Sequence, residues 1–363
     1  MTENTCIETV LNSRCSCDFD GDPKNDHWGL FVEDRAPSRK IKEHVLRCCR
    51  RTPQFSDGKL ALWFEDKYLF LGFEETADPF KNRLLHIESG MQHEAVYLAC
   101  TALGFGTCIH NLGVNGTKYG NKMATARHLI LENVESYKEG KHTAATPGPE
   151  KPFKNGKNLP PPRRNGDTEC LHALERLNLS HDHGDAADIT DISQMLWAAK
   201  GRTPHYIKSH PWGLTIPTWG GGQDYTTVYL VHENRLHRYV NWTTSRYTDW
   251  ISGFVPRARR YWWKVGKPTH DIKFARNVNL SLESGCIKDG IIIGRNEKTN
   301  RALWEIGYIL ENMFLQAESL RISYKSMIFT RNEIRELEKN GISGAEAAVL
   351  LSSGVPIRWR KGC

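Results

Sequence analysis

The feature that most constrains this chain is an internal repeat of a long helix. ESGMQHEAVYLACTAL begins at Glu88 and EIGYILENMFLQAESL at Glu305. Without a gap, Glu88 matches Glu305, Gly90 matches Gly307, Glu94 matches Glu311, Leu98 matches Leu315 and Leu103 matches Leu320. Apolar residues recur at Ile87, Met91, Ala95, Leu98 and Ala102, and again at Ile306, Leu310, Met313, Ala317 and Leu320, the spacing of one buried helical stripe. The surroundings repeat as well. GFGTC follows the first helix at Gly104 and RISYKSMIF follows the second at Arg321, each a turn and a short strand. Upstream, IKEHVLRCCRRTPQFSDG (41–58) leads into the hairpin pattern KLALWFEDKYLFLGF. DISQMLWAAKGRTPH (191–205) leads, after a longer excursion, into the hairpin pattern TTVYLVHENRLHRYV. Each half thus predicts helix, turn, hairpin, long helix and strand: an α+β layout with antiparallel sheets and long core helices.

A chain of 363 residues exceeds what one core usually organises. The halves are separated by a stretch that holds six of the sixteen prolines (Pro147, Pro149, Pro152, Pro160, Pro161, Pro162) and no apolar periodicity. This places the first half at 1–134, an extended and exposed linker at 135–166 and the second half at 167–363. Seven Lys/Arg between Lys138 and Arg164 supply much of the net charge of +7, so the basic excess reads as a solvated linker and not as a nucleic-acid face. No apolar run approaches the roughly 20 residues of a membrane helix. MTENTCIETVLNS lacks the basic-then-apolar pattern of a secretion signal, so the expected location is the cytoplasm. The ten cysteines are scattered and read as reduced thiols. HDHGDAAD (181–188) and the Cys15, Cys17, Cys48, Cys49 set contain metal-ligating types without two well-separated ligand pairs. No metal is expected, and the His/Asp run reads as a polar turn before the helix at Asp191.

These pieces, in this order, resemble the FMN-dependent nitroreductase superfamily, in which two copies of an α+β unit form a dimer with the flavin in the groove between them. The resemblance implies a nitroreductase-like fold in which both copies lie on one chain as two fused halves forming a pseudo-dimer. Within the second half, LPPPRRNGD (159–167), ALERL and ISQMLWAAKG are similar to the opening of SagB-type dehydrogenases. PTWGGGQDYTTVYLV (217–231) stands where that family has its Pro-Ser-Ala-Gly turn, and EIGYILENMFLQAE stands at its Glu-x-Gly-His helix. In the first half, SRCSCDF (13–19) occupies the place of the Arg-Ser-x-Arg phosphate motif and LGFGTC that of the turn beneath the flavin.

What the resemblance implies follows residue by residue. Arg14 is the phosphate arginine, suited to it by a bidentate fork, while Cys15 replaces the usual serine and Cys17 the second arginine. Gly104, Gly106 and Thr107 from one half, with Thr218, Trp219, Gly220 and Gly221 from the other, complete the preferred FMN site. An opposite groove joins Arg321, Ser323 and Lys325 to Pro53, Gln54 and Ser56, and Arg358, Arg360 and Lys361 add charge from the C-terminus. The family's Lys-Tyr pair would fall near Ile293 and Gly294 and is missing. Lys288, Asp289, Arg295 and Lys298 are the nearby candidates for proton transfer. The implied activity is flavin-based dehydrogenation of a small-molecule or peptide intermediate of natural-product biosynthesis by a monomeric pseudo-dimer or a homodimer. Two other readings stay open: a flavin-sequestering protein with little catalysis, and a flavin-free protein working through Cys/His chemistry or a metal.

Overall fold

The computed structural model describes residues 5–13, 37–66, 68–111, 117–119, 122–132, 156–182, 185–203, 206–207, 210–211, 214–217, 225–242, 247–251, 260–264 and 268–352. Its helices are α1 (Ile7–Asn12), α2 (Arg39–Arg50), α3 (Pro79–Leu103), α4 (Cys170–Leu174), α5 (Ile189–Lys200), α6 (Asn300–Leu320) and α7 (Arg331–Lys339). The first half carries β1 (Leu60–Glu65), β2 (Tyr68–Phe73), β3 (Phe105–Asn111), β4 (Thr117–Tyr119) and β5 (Lys122–Glu132). They form an antiparallel sheet in the order β1-β2-β5-β3, with β4 against β5. An eight-stranded antiparallel sheet contains β6 (Gly156–Asn158), β7 (Ser180–His181), β10 (Thr226–His232), β11 (Arg235–Trp242), β14 (Pro268–Asn277), β17 (Gly290–Arg295), β18 (Tyr324–Ile328) and β19 (Ala345–Leu351). Its order is β6-β14-β11-β10-β17-β19-β18-β7. Three two-stranded ribbons complete the set: β8 (Tyr206–Ile207) with β9 (His210–Pro211), β12 (Tyr247–Ile251) with β13 (Arg260–Lys264), and β15 (Leu280–Leu282) with β16 (Gly285–Ile287). The class is α+β. Among the described residues, no helix is long and apolar enough to cross a membrane.

Both long helices start on side-chain caps and end left-handed. Asp78 accepts from Phe80 N ahead of α3, and Thr299 accepts from Ala302 N ahead of α6. Gly104 (φ 81°) and Arg321 (φ 56°) terminate them in the αL region, which a glycine adopts freely and an arginine only under constraint. The helices cross where the repeat aligns its glycines. A Cβ on Gly90 would lie 2.3 Å from the Trp304 carbonyl oxygen, and one on Gly307 would lie 2.2 Å from that of Ile87. The absence of both side chains lets the two backbones touch.

The expected single buried stripe on each helix is corrected. Every residue of α3 from Leu84 to Ala102 is buried, because α6, α2 and the first sheet enclose it on all sides. The strand equivalence is corrected too. Both hairpins form, β1-β2 and β10-β11, the latter turning through Glu233 and Asn234 at φ 50° and 59°. Yet the strand that occupies the place of β2 is β17, not β11. The run β10-β17-β19-β18 repeats β1-β2-β5-β3 in order and antiparallel sense, and both β2 (at Leu71/Gly72) and β17 (at Ile293/Gly294) carry a register shift next to a glycine. Strands β11 to β16 are therefore inserted within the second half's hairpin.

The end of the expected linker is packed in part, although Asn158, Pro161, Arg163 and Asn165 are exposed. Residues 156–158 pair with β14, Leu159 is buried in the main core, and the Arg164 guanidinium lies 4.7 Å from the Trp197 ring. The cysteine expectation holds for Cys6, Cys48, Cys49, Cys100 and Cys170, which are free thiols, and fails at Cys286, which is disulfide-bonded. Cys286 is half-buried in β16, whereas Cys48, Cys49, Cys100 and Cys170 are enclosed by the core.

Candidate functional site

The residues following α2 line a cavity of about 880 Å³. It is walled by Arg50, Gln54 and Lys59 from the α2–β1 connection, by Leu60, Leu62 and Phe73 of the hairpin, and by Lys81 and Leu85 of α3. Its polar floor is the informative part. Thr52 and Gln92 are buried, both line the cavity, and Thr52 Oγ1 and Gln92 Oε1 have no hydrogen-bond partner. The Gln92 amide nitrogen donates to the Cys49 carbonyl at 3.4 Å, so the oxygen is the atom left over. A buried polar atom without a partner costs about 1–3 kcal/mol, a penalty that a bound ligand offering an N–H and an acceptor would relieve. Around the rim, Arg50 and Lys59 are exposed cations, while Lys81 is held by Asp57 at 2.7 Å. A concave, partly apolar space with two buried, partnerless polar groups among its walls, and with Arg50 and Lys59 beside Asp57 and Glu74 at its edge, suits a small polar ligand with a flat apolar body.

The loop beside this cavity is fixed by the first repeated glutamate. Glu88, fully buried, accepts from Ser56 N at 2.6 Å and from Ser56 Oγ at 2.9 Å. Burial pushes the Glu88 carboxyl up from its usual range, and the bonds from Ser56 oppose the shift. Glu305 has the matching role, accepting from Lys200 Nζ at 2.6 Å and from Thr226 Oγ1 at the start of β10. Each glutamate thereby ties its long helix to the chain entering the first strand of its own sheet.

Of the expected cofactor residues, Arg14, Cys15, Cys17, Thr218, Trp219, Gly220 and Gly221 lie outside the described residues, as do Arg358, Arg360 and Lys361. Gly104 caps α3 and Gly106 is buried in β3. Thr107 is fully buried, and its hydroxyl is spent inside the protein, 3.2 Å from His128 Nδ1. His128 Nε2 lies 2.8 Å from His93 Nδ1, and His93 Nε2 lies 3.4 Å from Ser89 Oγ. Burial depresses His93 to about 3, so its imidazole is neutral. In the opposite groove, Gln54 lines the cavity, but Arg321, Ser323 and Lys325 are not among its walls.

The four alternative proton-transfer candidates are spread along and beyond β17. Lys288 and Asp289 precede β17 and Arg295 ends it, and an extended strand of that length separates its ends by roughly 17 Å. Asp289 is 2.9 Å from His232 Nδ1, Arg295 is 2.6 Å from Glu346, and Lys298 is exposed in the loop before α6. Sequence reasoning did not single out Thr52 and Gln92, because each lies among other polar residues, Arg50, Arg51 and Gln54 around the first and His93 and Glu94 beside the second.

No protein-family model matches the chain, and no curated protein matches it at a meaningful level. Among solved structures, it is similar to a protein of Ralstonia eutropha JMP134 at 15% identity, covering 58% of this chain and 94% of that one, with a TM-score of 0.36. It is also similar to a protein of Anabaena variabilis ATCC 29413 at 10% identity, covering 79% and 69%, with a TM-score of 0.47. Each of these is described as a "putative nitroreductase". Likenesses this loose leave family and activity to be judged from the residues themselves.

Proposed function

We propose that the protein is a flavin-binding oxidoreductase of nitroreductase-like design, with two duplicated halves arranged as an intramolecular pseudo-dimer. Support for the duplication is the recurrence of one strand order on either side of two helices that cross at equivalent glycines. Support for the ligand is one observation, the two partnerless polar atoms of Thr52 and Gln92 on the floor of the cavity. Gln54 lines that cavity and belongs, with Pro53 and Ser56, to the segment that the family resemblance equates with a flavin-contacting turn. FMN fits this donor set. Gln92 and Thr52 would hydrogen-bond its pyrimidine edge, Leu60, Leu62 and Phe73 would shield the ring, and Arg50 and Lys59 would attract the phosphate. When bound, a flavin supplies two-electron chemistry, and the chain's contribution is to bind, orient and shield it.

The test is an FMN titration of the apo protein, followed by absorbance near about 450 nm, where the chromophore absorbs. Gln92→Leu and Thr52→Val remove one partner each and are expected to weaken binding by roughly tenfold. Arg14→Ala reports on the other groove: it should leave binding unchanged if the flavin occupies this cavity, and weaken it by roughly ten- to a hundredfold if Arg14 holds the phosphate there. No binding by the wild type rejects the proposal. A loss confined to Arg14→Ala moves the flavin out of this cavity.

A second reading has its own observation. Asp289 and Arg295 are committed to ion pairs, which favours a protein that holds flavin without turning over a substrate. Bound flavin that reduced nicotinamide cofactors fail to bleach selects this reading, and rapid bleaching rejects it.

A further inference from the structure

His44 and Cys48 lie four residues apart on α2, so they share one face of the helix. Glu175 reaches the same place from the turn that ends α4, in the other half of the molecule. One donor atom from each of these side chains lies within 4.8 Å of the others. His44 Nε2 and Glu175 Oε1 are 3.9 Å apart. Metal–ligand bonds of about 2.0–2.3 Å at the tetrahedral angle place donor atoms about 3.4–3.6 Å apart. Closing the three onto one ion therefore requires side-chain rotations of an ångström or so and no movement of the backbone. Cys48 is fully buried while His44 and Glu175 are half-buried, so the sulfur forms the inner wall and the other two the mouth.

We propose that His44, Cys48 and Glu175 form a binding site for a single divalent cation of the zinc class, held by one nitrogen, one sulfur and one oxygen, with the fourth position open to water. The mix of imidazole, thiolate and carboxylate selects zinc or cobalt over magnesium or calcium, which take oxygen ligands almost exclusively. In the ion-free protein, Arg47 satisfies the Glu175 carboxylate at 2.5 Å. Its side chain is 56% exposed, so it turns into solvent when a cation takes its place. Binding deprotonates the Cys48 thiol and releases that proton to solvent, with no change of oxidation state. Because the ligands come from α2 and from the end of α4, the ion fastens the first half to the second.

The experiment uses the full chain, stripped with a chelator and titrated with zinc while its melting is followed, then titrated with cobalt to read the sulfur-to-metal absorption. The wild type is expected to take up one equivalent of zinc, melt higher with it, and show the cobalt–sulfur band. His44→Ala and Glu175→Gln should weaken zinc by on the order of a hundredfold. Cys48→Ser should lose the band while Cys49→Ser keeps it. Glu175 is the outermost ligand, so its variant keeps the test informative if Cys48→Ser fails to fold. Zinc bound equally well by His44→Ala and the wild type, or a cobalt–sulfur band that survives in a folded Cys48→Ser, overturns the site, as does a wild type that binds no zinc.

Discussion

Glu311 is fully buried at the heart of α6, and neither of its carboxylate oxygens has a hydrogen-bond partner. Burial, and then the nearby Glu94 carboxylate of α3, holds its pKa well above the usual 4.5. A carboxyl whose folded pKa is raised contributes stability that is fully present below its unfolded pKa and is lost as pH rises through the folded one. Glu311→Gln, which keeps the shape and cannot ionise, should therefore match the wild type near pH 4.5. It should then gain on the wild type by about 1.4 kcal/mol per pH unit until the native carboxyl itself ionises. Urea midpoints of both proteins between pH 4.5 and 8 check this, and a wild type that stays the more stable at pH 8 would show that Glu311 is charged and paired. The buried histidines work in the opposite direction. Burial lowers His86 to about 4 and His270 to about 3, so each favours the unfolded chain as pH falls below 6.5. Replacing His86 by Leu, of similar bulk, should flatten the acid limb of the stability curve between pH 6.5 and 4 measured in the same titration. An unchanged limb would mean that His86 is not shielded from protonation.

At the scale of elements, the crossing of α3 and α6 is set by backbone against backbone. An alanine at Gly90 or Gly307 gains about 1 kcal/mol of helix propensity. It also forces its Cβ to within 2.2–2.3 Å of a carbonyl oxygen that no rotamer change can move away. Overpacking of this kind costs about 3 kcal/mol or more when the helices must part, so both variants should lose stability despite the better propensity. The double variant should lose less than the sum, because helices parted by one methyl make room for the other. Denaturant unfolding of the two single variants and the double variant reads this directly, and a loss below about 1 kcal/mol in both singles would refute the crossing. These glycines were open to sequence reasoning because a repeat exposes them in register. The strand equivalence was not. TTVYLVHENRLHRYV alternates and turns as a genuine hairpin, and nothing local distinguishes the second strand of a hairpin from the first strand of an insertion. That distinction is made by β17 pairing with β19, a contact between residues more than fifty positions apart. Thr52 and Gln92 were hidden for a similar reason, since a polar residue in a turn or on a long helix becomes a candidate only once its side chain is found buried, partnerless and beside a cavity.

At the scale of the whole molecule, the two halves share one core. The main apolar cluster runs without a break through Ile87, Met91 and Ala95 of α3 and Ile306, Leu310 and Met313 of α6. Three polar fastenings reinforce it. Ile7 N donates to the Thr168 carbonyl and Cys170 N to that of Thr5, so α1 and α4 begin side by side. Glu8, fully buried, receives Arg163 at 2.7 Å, Gln316 at 2.9 Å and Ser319 at 2.6 Å. Burial raises its carboxyl, but the bonds from Ser319 and Gln316 outweigh that and leave it below the usual range. Glu346 joins Arg83 of α3 at 2.9 Å to Arg295 of β17 at 2.6 Å. An ordinary interface between domains is more polar than a shared apolar core and permits the partners to separate. Here separation would expose the inner faces of both long helices, and at roughly 25 cal/mol per Å² of apolar surface neither half could remain compact alone. A protease site inserted between Glu139 and Glu150 should therefore yield a cut chain that still elutes as a single species of unchanged size. It should also unfold in one transition, at a midpoint close to that of the intact protein because only the chain connection has been lost. Gel filtration and calorimetry after cleavage decide it: two eluting fragments, or two resolved transitions, would mean that each half carries a core of its own and that the crossing of α3 and α6 is only an interface between independent domains.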